Sequence, residues 1–267
     1  MNDVSSSQVA LITGGPAGLS KATAMELARR GWSIFLQHAG PQEAADQAVA
    51  DILAAAEEAA QQIEAAAGGA DLTVSADREQ LVESVIEDFG RIDMLVNAAA
   101  GPPGAAEDLL EITEDSYAET MNATLTATLF LTQIVASEMV RLTEAGLIDN
   151  PKIVTLNSVG AYAASAGHGP HCISRAGLAM VTKLFADRLA AHGINVYEVR
   201  VGFVAAEPAA PGGARHEEAG DQAATPIPRR GWGDDVARAV AAIAEDLLSF
   251  STGEVINVDG GFHLRKI

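Results

Sequence analysis

Cysteine occurs once in this chain, at Cys172, so no internal disulfide is available and the composition fits a reducing, cytoplasmic setting. No apolar run reaches the ~20 residues that a membrane-spanning helix needs. The first residues, MNDVSSSQ, lack a basic stretch followed by an apolar one, so no export signal is expected. Positive charge is scarce too: 17 Lys and Arg stand against 36 Asp and Glu, a formal net charge of −19. Such a surface repels nucleic acid and anionic membrane, and neither is expected as a partner. The shortage is also local. From Gly31 to Asp77 there is no Lys or Arg at all, while Glu43, Asp46, Asp51, Glu57, Glu58, Glu64 and Asp71 fall in that span. No internal repeat, linker or metal site is expected.

What is present points to one α/β domain spanning residues 1–267. The chain is 48% hydrophobic with 25 Gly spread along it, which suits a single well-buried core. The most informative stretch is KIVTLNSVGAYAASAGHGPHCISRAGL, Lys152 to Leu178. Ile-Val-Thr-Leu reads as a buried strand. Asn157 and Ser158 stand at its end, where open α/β sheets place their ligand crevice. A Gly/Ala/Ser-rich loop comes next, and a helix begins near Pro170. His171 and Arg175 lie four apart on that helix and share a face. A hydroxyl, an imidazole and a guanidinium can therefore converge on one crevice. Cys172 points about 100° away from His171 and reads as a small buried residue.

Elsewhere the pattern alternates strand and helix. Val9 to Thr13 is a short strand running into Thr-Gly-Gly-Pro-Ala-Gly-Leu-Ser and then a helix. In that context Gly14, Gly15 and Gly18 read as a turn that lets backbone amides approach a pyrophosphate at a helix N-terminus. Ser33 to Gln37 reads as a second strand, ending at His38. An Ala-rich surface helix is expected over Gln42–Ala67, a third strand over Asp71–Ser75, and a helix from Asp77 to near Phe89. Met94 to Val96 is a fourth strand leading to Asn97. A long, largely apolar helix is expected over Glu114–Leu142, with Asn122 within it. Ile194–Val201 is a sixth strand, Ala205–Arg230 an Ala/Pro/Gly-rich loop, and Gly233–Leu248 a helix before a last strand inside Thr252–Gly261.

This frame resembles the short-chain dehydrogenase/reductase family over nearly the whole chain. The family has a Ser at the end of the fifth strand, followed thirteen residues later by Tyr-x-x-x-Lys. Ser158 to His171 has that spacing, and Ser174, Ala176, Gly177 and Leu178 match the surroundings of the family's Lys. His171 stands at the Tyr position and Arg175 at the Lys position. Asn97-Ala-Ala-Ala-Gly101 is similar to the family's Asn-Asn-Ala-Gly, and Asn122 matches its helix Asn. The glycine turn differs in its last position, Ser20. The resemblance implies a Rossmann-like doubly wound parallel sheet with helices on both faces, and a mobile substrate lid over Ala205–Arg230. It also implies a small-molecule substrate, a nicotinamide cofactor held by Gly14, Gly15, Gly18, His38, Asn97 and Arg175, and a catalytic set of Ser158, His171, Arg175 and Asn122.

The changed letters keep the chemistry open. Imidazole transfers protons near neutral pH unaided, whereas Arg cannot release one. An Arg beside it favours the neutral imidazole, a better base than acid. The end of the second strand carries neither the acidic residue that takes the ribose of NAD nor the Arg that takes the phosphate of NADP. The acidic span disfavours NADP unless Lys21, Arg29 or Arg30 folds back, so NAD(H) is expected ahead of NADP(H), with no cofactor as a further possibility. Either Asp71 or Val74 faces the adenine side. An oxidoreductase acting on a small carbonyl or alcohol is the first reading. A non-redox lyase, isomerase or cyclase using His171 as acid/base is the alternative, and a catalytically silent homologue the third. The family's assembly surfaces imply a homo-oligomer, a tetramer.

Overall fold

The computed structural model describes residues 7–99, 106–205 and 225–265. Most of the expected lid and Gly101 lie outside these residues. The elements run β1 Val9–Ile12, α1 Gly18–Ala28, β2 Ser33–His38, α2 Gln42–Glu58, β3 Ala65–Gly69, α3 Ser75–Phe89 and β4 Met94–Asn97. They continue with α4 Glu114–Met121, α5 Ala127–Glu144, β5 Lys152–Ser158, α6 Gly169–Leu189 and β6 Asn195–Val201. Two short strands, β7 Val204–Ala205 and β8 Gly231–Trp232, precede α7 Gly233–Ala244 and β9 Val255–Val258.

Seven of these strands form one parallel sheet in the order β3-β2-β1-β4-β5-β6-β9. The order reverses between β1 and β4, and a crevice opens at the carboxyl ends of the strands around such a reversal. Alternation along the buried strands divides the core in two. Leu11, Phe35, Leu95 and Ile153 pack with Leu81, Val85, Leu131 and Val135 on the face carrying α3 and α5. Ile12, Ile34, Met94 and Val154 pack with Leu27, Ile52, Val236 and Val240 on the face carrying α1, α2 and α7. This is the doubly wound architecture that the resemblance implies.

Several boundaries differ from expectation. The helix expected to Ala67 ends at Glu58; Ala60 turns the chain at φ +56°, and residues 65–69 form β3. A run of Ala and Gly looks helical by composition, but pairing with Ile34–His38 overrides weak propensity. Asp71–Ser75 is consequently a turn and not a strand, with the amide of Val74 donating to the carbonyl of Asp71 and α3 starting at Ser75. The helix expected over Glu114–Leu142 is interrupted by a π-helical turn at Asn122–Thr126. Such turns absorb an extra residue and re-aim the helix beyond them. Contrary to the sequence reading, Glu114–Glu144 is long and apolar enough to cross a membrane by length and composition. Its apolar side, including Leu131, Val135, Met139 and Leu142, is buried in the core instead.

Candidate active site

The crevice begins at the glycine turn after β1. Gly14 has φ +108°, and a Cβ there would meet the backbone of Ala98 at 2.8 Å. Only glycine fits so close an approach between the turn and the end of β4. Thr13 secures the same junction, its Oγ1 accepting from the amides of Ala98 and Ala99 at 3.1 and 3.0 Å. Gln37, a polar residue buried at the end of β2, fixes the other side. Its Oε1 accepts from the Gly14 amide at 3.1 Å and its Nε2 donates to the Ala70 carbonyl at 2.8 Å. Its own carbonyl accepts from the Gly15 amide at 3.0 Å. Sequence reading passed over Gln37, although a glutamine inside the apolar run Ser33–His38 was a visible signal.

The resulting cleft has a volume of about 380 Å³ and is lined by residues including Gly14, Gly15, Gln37, Asp71, Leu72 and Ala99. Asp71 therefore faces it, whereas Val74 is exposed at the start of α3. The Asp71 carboxylate accepts from the amide and hydroxyl of Thr73 at 2.9 and 2.7 Å, which holds it below the usual carboxylate range. Helix α1 starts at Gly18 with no side-chain cap and no acidic residue in its first turn. Its orphan amides and dipole suit a bound anion. A glycine turn that lets a ligand approach closely, a helix N-terminus with free amides and an acidic residue lining the cleft together fit a dinucleotide. The basic residues of α1 and of the turn after it are paired with acids: Lys21 with Asp51, Arg29 with Glu26, and Arg30 with Glu26 and Glu245.

Three residues expected at the cofactor or in the catalytic set are placed otherwise. His38 is buried, its Nδ1 2.9 Å from the Gly40 carbonyl. Its ring does not line the cleft because its strand neighbours Gln37 and Ala39 do, and alternate side chains leave a strand in opposite directions. Asn97 is also buried, and its Nδ2 donates to Thr132 Oγ1 at 2.9 Å, tying β4 to α5. Asn122 stands exposed at the start of the π-helical turn, with no side-chain hydrogen bond among the described residues; its neighbour Ala123 borders the cleft.

The second half of the site lies beyond β5. Asn157 fixes its geometry: Oδ1 accepts from the Ser158 amide at 2.9 Å, and Nδ2 donates to the Arg175 carbonyl at 3.0 Å and Glu198 Oε1 at 2.8 Å. One side chain thus locks β5 to α6 and β6. Ser158 caps the next turn, its Oγ accepting from the Gly160 amide at 3.2 Å. A Cβ on Gly160 would lie 3.3 Å from His171 Cδ2, 3.5 Å from its Nε2 and 3.7 Å from Ser158 Oγ. The hydroxyl and the Nε2 edge of the imidazole therefore border the same small gap, kept open by glycine. Burial, the Arg175 charge and His168 together push the His171 pKa down to about 4. The ring is neutral at physiological pH. Arg175 is buried against β5, with Nη1 donating to the Leu156 carbonyl at 3.3 Å, and burial lowers its pKa to about 10. The structure brings Ser158, His171 and Arg175 together, as the spacing predicts.

A base, a hydroxyl and a cation gathered at the end of β5, on a doubly wound parallel sheet with a glycine turn after β1, define an α/β protein of Rossmann-like architecture. Residues 15–263 match the family described as enoyl-(acyl carrier protein) reductase. Among curated relatives, a 3-oxoacyl-[acyl-carrier-protein] reductase of Synechocystis is 30% identical over 260 residues, covering 95% of this chain and 96% of its own length. An uncharacterized oxidoreductase of Methylorubrum extorquens is 31% identical over 262 residues, covering 95% and 97%. A 3-oxoacyl-[acyl-carrier protein] reductase of Brucella melitensis, solved in complex with NAD, superposes with a TM-score of 0.85 at 28% identity, covering 98% and 99%. The chain belongs to the short-chain dehydrogenase/reductase family.

Proposed function

We propose that the protein is a nicotinamide-dependent oxidoreductase, with NAD(H) ahead of NADP(H), that acts on a small alcohol or carbonyl through Ser158, His171 and Arg175. The observation that carries this reading is the gap that Ser158 Oγ and the Nε2 edge of His171 border together around Gly160. It lies at the carboxyl end of β5, in the same parallel sheet whose β1 end runs into the glycine turn of the cleft. Gly14, Gly15, the first turn of α1 and Asp71 would hold the dinucleotide, which when bound supplies the hydride acceptor or donor. Ser158 orients the reacting oxygen by a hydrogen bond. His171 takes the alcohol proton on Nε2 in the oxidative direction and returns it in the reductive one. A neutral ring favours oxidation, because a base is what that direction needs. Arg175 moves no proton; after burial, the larger cause, its charge helps keep the imidazole neutral.

The absence of a basic residue at the end of β2 supports NAD(H), since a 2′-phosphate would meet an acidic neighbourhood without a cation. We further propose a homotetramer in the cytoplasm. The exposed apolar residues Ile173, Met180 and Leu184 form a stripe along α6, with Phe130 exposed on α5, and such a stripe suits burial against a second copy. The test is turnover of a panel of alcohols monitored by nicotinamide absorbance. His171→Ala should cut turnover by about 10²–10⁴-fold and Ser158→Ala by a comparable factor. Full activity in His171→Ala would remove the imidazole from the reaction. Turnover that is indifferent to nicotinamide would favour the non-redox alternative.

A further inference from the structure

Arg175 is only 6% exposed, yet among the described residues no carboxylate lies within ion-pair distance of it. Among the described residues its Nε has no hydrogen-bond partner, and the guanidinium makes one hydrogen bond, at 3.3 Å from Nη1 to the Leu156 carbonyl. The acid nearest in the hydrogen-bond network is not available. Glu198 is fully buried and committed, Oε1 accepting from Asn157 Nδ2 at 2.8 Å and from Arg200 Nε at 2.7 Å. The fold therefore holds a cation out of water without compensating it. An uncompensated buried charge is costly, and a ligand of opposite charge would offset that cost by completing the pair.

Resting on the site proposed above, we infer that the substrate carries a carboxylate that pairs with Arg175, beside the oxygen on which Ser158 and His171 act. The substrate class is then a hydroxy acid and its oxo acid. A guanidinium presents a planar fork of donors that matches a carboxylate. Ribose hydroxyls would satisfy hydrogen bonds but leave the charge unpaired. The neutral His171 ring adds no second positive charge, and a monoanion is better matched than a phosphate dianion to one guanidinium in a protein of net charge −19. The distant acidic residues do not prevent contact, because charges beyond about 8 Å are largely screened at physiological salt.

The experiment uses the full chain without nicotinamide, at pH 7.5. Sodium acetate and sodium malonate are titrated against chloride at constant ionic strength, reading the His171 Cε1–H resonance and the thermal midpoint. The expected result is a saturable resonance shift and a raised midpoint in the wild type, lost in Arg175→Gln and at least tenfold weaker in Arg175→Lys. In chloride alone, Arg175→Gln should melt higher than the wild type, because the unpaired charge is gone. A wild type blind to both carboxylates overturns the inference, as does an equal shift in Arg175→Gln, or inorganic phosphate binding tighter than malonate. Should Arg175→Gln not fold, Arg175→Lys carries the comparison. NADH titrated into the same samples separates the two ideas. Nicotinamide binding without a carboxylate effect sinks this inference alone, and a carboxylate effect without nicotinamide binding sinks the proposed function alone.

Discussion

At the scale of single residues, the pH response of His171 is set by its surroundings. An unfolded chain would leave its pKa near 6.5, while burial first, and Arg175 next, bring it to about 4 in the fold. Between these values the unfolded state binds more protons than the folded one, so this residue's contribution to stability is present above pH 6.5 and is lost as pH falls towards 4. We predict that His171→Ala weakens this acid sensitivity. Denaturant unfolding at pH 7.5, 6 and 5 should show the wild type losing more stability than the variant across that range, and parallel losses would contradict the assignment. The spacing from Ser158 to His171 and Arg175 made the trio legible in the sequence. Gly160 was not legible as the spacer between them, because a glycine that keeps two side chains apart leaves no periodic mark.

Among the elements, the strand ends carry most of the site. Gln37 joins the glycine turn after β1 to the loop after β3, bonding one amide and one carbonyl from its side chain. Gln37→Ala would leave the buried Ala70 carbonyl unpaired, at a cost of about 1–3 kcal/mol. Urea unfolding checks the figure, and dinucleotide affinity should fall with it because Gly14 loses its anchor. A variant as stable as the wild type would show that water replaces the amide without loss. Strands β1, β2, β4, β5 and β6 were readable because their β-branched runs are buried on both faces. β3 was hidden: Ala65-Ala-Ala-Gly-Gly69 has neither branching nor alternation, and its position is set by pairing with β2. That misplacement also left Asp71 and Val74 undecided at the cleft. The π-helical turn at Asn122–Thr126 escaped for a similar reason, since its sequence fits a regular helix equally well.

For the whole molecule, charge and apolar surface set the expectations. The stripe of Ile173, Met180 and Leu184 predicts self-association into a tetramer, and light scattering at micromolar concentration should return four times the chain mass of 27.6 kDa. A monomeric mass would leave that stripe unexplained. The acidic balance bears on the cofactor, because no Lys or Arg occurs from Gly31 to Asp77, the span that includes Gln37, Ala39, Gly40, Asp71, Leu72 and Thr73 of the cleft. Calorimetric titration of NADH and NADPH into the protein at low salt therefore tests the account at its centre. NADH is expected to bind, and NADPH to bind more weakly. NADPH binding the tighter would overturn the reading of the β2 end, and failure of both to bind would contradict a nicotinamide-dependent oxidoreductase.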